Sequence, residues 1–327
     1  MTTYKEIRGT HIVSVTSDPP SPVNGQMWYN STEQRIKGFT KVTAGAWVSG
    51  GNLNTARSHL AGFGATNTAA LATGGITQPG PGTANTELYN GSAWTEVNNL
   101  NTARKFFAGG GIYTSGIAAG GFTTGQVAIS ESWNGTSWTE TSDLNFARNS
   151  GGYSANSNTA AIYFGGNPSS PPTNSTYTES WNGSSWTEVN DLNTGGNGIT
   201  GLGIQTAGLG MGGDNRSANT EIWNGSSWTE VNDLNTGRQS MASGGTTSDG
   251  FVSGGFSTIA DIKTESWDGT NWTEIIDMST GRYALGGSGS GGTNGLAFGG
   301  VDGPETRLTA TEQLDIPSTS TVTFTVS

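Results

Sequence analysis

The chain has 327 residues, no cysteine and a formal net charge of −11. The absence of cysteine excludes disulfides, thiolate chemistry and cysteine-ligated metals. The acidic balance, with no basic run anywhere, argues against a nucleic-acid partner. No apolar stretch approaches the length of a membrane span, so no membrane insertion is expected.

In chain order, the first residues carry neither the apolar core nor the small-residue cleavage site of a secretory signal, so synthesis in a cytoplasm without export is expected. Pro19, Pro20 and Pro22 punctuate an extended start. Gly25 to Phe39 then reads as a strand, a polar turn and a second strand, with Trp28 and Tyr29 as candidate assembly residues. Residues 1–45 are expected to form an attachment segment, separate from a large body at 46–316.

That body is written as a repeat. Trp47, Trp94, Trp138, Trp186, Trp228 and Trp272 follow one another in steps of 42 to 48 residues, a period that marks a β-propeller. These six tryptophans are structural by virtue of the copying. Five of the six are reached by a segment of the type Glu131-Ser-Trp-Asn-Gly-Thr-Ser-Trp138, in which Asn-Gly (Asp268-Gly269 in the last) predicts a two-residue hairpin turn. That turn would set Glu131 opposite Trp138. Six residues after each tryptophan stands Leu53, Leu100, Leu144, Leu192, Leu234 or Met278, and then Arg57, Arg104, Arg148, Arg238 or Arg282. The fourth unit departs, with Gly196 where arginine is expected. Each unit ends in a glycine pair, from Gly74-Gly75 to Gly299-Gly300. Because Glu and Arg recur around the ring, they read as buried structural partners, across blades or within them, rather than as catalytic groups.

The last unit lacks a tryptophan hairpin and the first lacks the strand before Trp47. The strand around Trp47 is therefore expected to close the last blade. Spacing is rigid except between the glycine pair and the glutamate, where it runs from 9 to 14 residues. These loops, between second and third strands, are where recognition would sit. Their non-repeating Tyr177, Arg216, Phe256, Asp261 and Arg307 are the candidate ligand residues. The stretch 286–292, Gly-Gly-Ser-Gly-Ser-Gly-Gly, reads as a tight turn, and His59 as a structural histidine on an inner strand. Residues 317–327 form a C-terminal tail. Within it, Val322, Phe324 and Val326 share one face of a strand that is expected to pair with the run 10–15 or to dock on another subunit.

The order glycine pair, aromatic and turn, tryptophan, apolar residue and arginine resembles the Kelch repeat over residues 46 to 315. The resemblance implies an all-β, six-bladed propeller of four-stranded antiparallel blades. The segment Gly25-Gln-Met-Trp28-Tyr29-Asn30-Ser-Thr resembles a short module of bacteriophage tail-fibre proteins. The hairpin cassette joined to Leu-Asn-Thr-Ala-Arg is similar to Kelch-like proteins of phages, especially those of cyanobacteria. These resemblances imply a non-enzymatic virion structural protein of tail, neck or fibre, with other virion proteins or copies of itself as partners and a host-surface glycan as candidate ligand. The alternatives are a purely architectural self-assembling subunit and a free lectin-like propeller. With only His11 and His59 and no cysteine for the Tyr–Cys cross-link, the copper chemistry of the galactose-oxidase branch is excluded, and neither cofactor nor metal is expected.

Overall fold

A computed structural model describes residues 12–20, 26–40, 45–77, 80–169, 174–316 and 320–324; Val326 lies outside them. The described chain is β-structure apart from one short 3-10 turn, Asp214–Arg216. It divides into two compact units, residues 46–315 and a smaller one from residues 1–45 with 316–327.

The larger unit holds six four-stranded antiparallel sheets. Blade 1 runs Ala61–Thr66, Ala69–Thr73, Thr86–Tyr89, Trp94–Val97 from first strand to fourth. Blades 2 to 5 begin at Ala108, Gly152, Thr200 and Ala242 and repeat the order. Blade 6 takes Gly286–Gly291, Asn294–Phe298 and Thr311–Asp315, and its fourth strand is Ala46–Ser49, with Trp47 opposite Leu314. The strand around Trp47 closes the ring, as its missing hairpin partner predicted.

First strands of neighbouring blades pack against one another all the way round, so they line the axis. There is little room there. A Cβ on Gly287 would lie 2.6 Å from the Ser243 nitrogen, and one on Gly201 2.3 Å from the Tyr153 carbonyl oxygen. The glycine-rich stretch 286–292 is therefore not a turn: Gly286–Gly291 is the inner strand of blade 6, where side chains would block the approach of blade 5.

Two rings of hydrogen bonds lock the blades together. Each outer-strand indole donates to a hydroxyl at the start of the preceding blade's third strand. Trp94 reaches Thr311, Trp138 Thr86, Trp186 Ser130, Trp228 Thr178, Trp272 Thr220 and Trp47 Thr264, at 2.9 to 3.2 Å. Burying an indole requires such a partner for its N–H. At the other end of the radius, backbone N–H groups join His59, Ala284, Ser240, Gly198, Ser150 and Phe106 into a closed cycle of six bonds of 2.7 to 3.1 Å. All six residues have φ between 52° and 73°. The chain turns there into each inner strand.

The hairpin register differs from the sequence expectation. Trp133 pairs directly with Trp138, and Glu131 with Glu140. The Asn134 side-chain oxygen accepts the N–H groups of Thr136 and Ser137, both at 2.9 Å, so the turn takes four residues. A two-residue type I′ turn would leave that local capping unused.

The Glu–Arg pairing lies within single blades, not across them. Arg57–Glu87, Arg104–Glu131, Arg148–Glu179, Arg238–Glu265 and Arg282–Glu312 are ion pairs with the guanidinium fully buried. Asn54 donates both its backbone and side-chain N–H to the other oxygen of Glu87. Asn101, Asn145 and Asn235 do the same to Glu131, Glu179 and Glu265. Leu-Asn-Thr-Ala-Arg is thus one latch: Asn and Arg, three residues apart, grip the same carboxylate.

In the smaller unit, Val13–Val15 runs parallel to Met27–Asn30, which pairs with Arg35–Thr40, which pairs with Ser320–Phe324. The C-terminal strand joins an intramolecular sheet, but beside Arg35–Thr40 rather than the run 10–15; Phe324 stands opposite Ile36 and Val322 opposite Gly38. Trp28 is fully buried and donates its indole N–H to Asp18, so it is a core residue and not an exposed assembly contact. Tyr29 is half-buried. Asp18 also accepts from Asn30 and from Lys37 at 2.7 Å. Led by the Lys37 bond, these three donors hold its carboxyl down to about 2.

Candidate functional site

The loops between second and third strands emerge beside the segments that enter the inner strands. Single-residue bridges tie them together: Ser58 with Ile76, Lys105 with Phe122, Gln239 with Phe256 and Tyr283 with Val301. The variable loops therefore surround the hydrogen-bonded ring, and with it one mouth of the axial channel. A cavity of about 150 Å³ opens there, lined by His59, Phe106, Ser150, Ser240 and Ala284 among others. A second, of about 90 Å³, is lined by glycines of the inner strands and by Phe63, Leu202 and Tyr153. Tyr153 lines both.

The rim is asymmetric, because the two positions after each latch arginine do not repeat. Blades 3 to 5 contribute Asn149-Ser150, Asn197-Gly198 and Gln239-Ser240, while blades 6, 1 and 2 contribute Tyr283-Ala284, Ser58-His59 and Lys105-Phe106. The aromatic part is a continuous chain of contacts. The Arg216 guanidinium lies 5.4 Å over the Phe256 ring, and Phe256 meets Tyr283 edge-on at 5.1 Å. Tyr283 lies 6.4 Å from His59, and His59 packs on Phe106 at 4.2 Å. Lys105 reaches over both Phe106 and Phe122. The Tyr283 hydroxyl donates to Glu305 at 2.9 Å. Burial, with the adjoining Glu305 carboxylate, pushes that hydroxyl up to about 12. Burial and the neighbouring charges of Arg307 and Lys105 push the His59 imidazole down to about 4, so it stands neutral at pH 7.

Of the five candidate ligand residues, Arg216, Phe256 and Arg307 share this rim. Asp261 takes no part in this chain of ring and cation contacts. It is 9% exposed, accepts the Lys263 N–H and the Ser257 hydroxyl, and shapes its own loop. Tyr177 stands outside the contact chain, stacked on Phe146 at 4.7 Å. His59 is not on the inner strand; it precedes Ala61–Thr66 and belongs to the mouth. Sequence reasoning missed Lys105, Phe106, Phe122 and Tyr283. Their signal was present, as aromatic or charged residues one or two positions after a repeated arginine or glycine pair.

Chemically, the rim offers flat apolar faces, cations and a neutral imidazole. Among the described residues no group of three or more His, Cys, Asp or Glu could hold a metal ion, and no helix is long and apolar enough to cross a membrane.

These features define a six-bladed β-propeller with its variable chemistry on one face. No protein-family model matches the chain, and no curated protein matches it. Among solved structures it is similar to that of YjhT, with a TM-score of 0.67 and 11% identity, over 84% of this chain and 99% of that one. At that identity the likeness concerns the propeller fold alone.

Proposed function

We propose that the protein is a non-enzymatic virion component in which the propeller binds an acidic host-surface glycan at the channel mouth and the smaller unit serves assembly. The observation that carries the binding reading is where the cations lie. Of the nine Lys and Arg in residues 46–315, five are the buried latch arginines. Lys263 is paired with Glu274. The remaining three, Lys105, Arg216 and Arg307, all belong to the aromatic rim, in a chain of net charge −11. Aromatic faces accept the C–H faces of sugar rings, and cations beside them favour carboxylate or sulfate substituents.

The assembly reading is supported by the strand Val13–Val15. It is an edge strand among the described residues, with Val13 58% exposed and Ile12 beside it 40% exposed. Such an edge is a template for pairing with another chain. The virion setting rests on the sequence resemblance.

The test is an array of carboxylated, sulfated and neutral oligosaccharides probed with the wild type and with Arg216→Ala and Phe256→Ala. Binding restricted to the acidic members, weakened about tenfold or more by either substitution and by added salt, is expected. Binding to no acidic glycan, or binding that ignores both substitutions, overturns the reading. Mass spectrometry of purified particles separates a virion component from a free lectin.

A further inference from the structure

In five blades the latch arginine fills a defined slot. Arg57 donates to the Glu87 carboxylate and to the carbonyls of Ala72, Gly74 and Asn85. Arg282 repeats this with Glu312, Ala297, Gly299 and Ala310. Arg238 reaches Glu265 and the carbonyls of Gly254 and Lys263. The equivalent acceptors in blade 4 are Glu221 and the carbonyls of Gly210, Gly212 and Asn219. There Gly196 supplies no side chain, and a cavity of about 370 Å³ is lined by those same four residues.

The rest of the latch is intact. Glu221 is 4% exposed and accepts both N–H groups of Asn193 and the N–H of Thr194. Gly196 keeps the backbone bonds of a latch arginine: its N–H reaches the Ser175 carbonyl at 3.3 Å, and its carbonyl accepts from Gly166 at 2.7 Å. No cation pairs with Glu221 among the described residues. Residues 170–173, Ser-Pro-Pro-Thr, carry no positive charge. Arg216, the nearest arginine in sequence, lies over Phe256 instead. A second carboxylate, Asp214, lines the cavity together with Asn174 and the exposed Thr194 and Asn215, so it opens on the loop face.

We propose that the blade 4 cavity is a binding site for a guanidinium group supplied from outside the blade. The buried carboxylate takes a guanidinium in all five other blades, and the equivalents of the three carbonyl oxygens all accept from it in blades 1 and 6. A planar five-donor cation matches those acceptors; an ammonium has neither the shape nor enough donors. The group arrives either on a free small molecule or on the arginine side chain of a partner protein. This inference is independent of the glycan reading.

The experiment is calorimetric titration of the full chain with methylguanidinium, against methylammonium and sodium chloride at matched ionic strength. Wild type, Gly196→Arg and Glu221→Gln are compared. The Gly196→Arg backbone is compatible: φ is not left-handed, and an added Cβ presses only on the outer atoms of the flexible Ile199 side chain, Cγ1 and Cδ1 at 3.0 Å, with the Asp214 nitrogen at 4.0 Å. Saturable binding of methylguanidinium but not methylammonium is expected. It should weaken at least tenfold in Glu221→Gln and vanish in Gly196→Arg, whose melting temperature should rise. Absence of saturable binding, equal binding of methylammonium, or unchanged binding in Glu221→Gln overturns the proposal, and the last holds even where Gly196→Arg does not fold. Titration with N-acetyl-arginine amide separates the sources: binding tighter than that of free arginine identifies a protein side chain, and the reverse a small molecule.

Discussion

Truncating one latch arginine offers a quantitative check on how the blades are held. Arg238 is fully buried and donates to Glu265 at 2.8 Å, to the Gly254 carbonyl at 2.8 Å and to that of Lys263 at 2.6 Å. Arg238→Met removes all these donors but keeps much of the apolar stem. Glu265, itself 0% exposed, is then left charged with only Asn235 and Thr236 donating to it. Breaking a buried pair in this way costs about 3–5 kcal/mol, chiefly because the remaining charge is desolvated and uncompensated. At about 2–4 °C per kcal/mol for a body near this size, the melting temperature should fall by roughly 6–20 °C. The double variant Arg238→Met/Glu265→Gln removes the stranded charge and should lose less than the sum of the two single variants, with a coupling of about 1–3 kcal/mol. Urea melts followed by tryptophan fluorescence measure both. A loss below about 1 kcal/mol for Arg238→Met, or strict additivity in the double variant, would refute the view that uncompensated charge is what makes the latch matter.

Three further outcomes follow from other contacts. The His59 imidazole stands at about 4 when folded, against 6.5 for an ordinary histidine. The unfolded chain therefore takes the proton first, and stability that is complete above pH 6.5 is lost as pH falls from there to 4. The full shift corresponds to about 3 kcal/mol, which solvent at the open mouth reduces to on the order of 1–2; identical pH–stability curves for wild type and His59→Gln would contradict it. Gly287→Ala places a methyl 2.6 Å from the Ser243 nitrogen and should cost about 1–3 kcal/mol, whereas Gly303→Ala meets nothing within 4 Å and should be neutral in the same melts. Trp47→Ala removes the indole that reaches Thr264 and the Ile276 carbonyl across blades 6 and 5. It should cost about 3–5 kcal/mol, and equal stability would show that the ring does not depend on this closing strand.

The repeat itself was legible in the chain because a propeller writes its architecture six times. Tryptophan, glycine pair and, in five of the six blades, latch arginine each occupy a position whose contacts suit one kind of residue, so their spacing survives as pattern. Closure by the Trp47 strand could be read from the two half-units at the ends for the same reason. What the sequence could not supply was the conformation of positions that local chemistry leaves open. Asn-Gly is compatible with two turns, and only the Asn134 cap decides for the four-residue loop and the Trp133–Trp138 pairing. A run of glycines reads as a turn until neighbouring inner strands, approaching closely at the axis, require it to be a strand. Glu and Arg some 30 residues apart show a pairing but not whether it crosses blades; the fold of each sheet fixes that. Above all, Arg216, Phe256, Tyr283, His59, Phe106 and Lys105 come from five different blades, and only ring closure brings them to one rim. Gly196 was visible as a departure from the repeat. That the departure leaves a cavity with its acceptors still in place is decided by the rigid ring around it, which holds blade 4 in the shape of the other five.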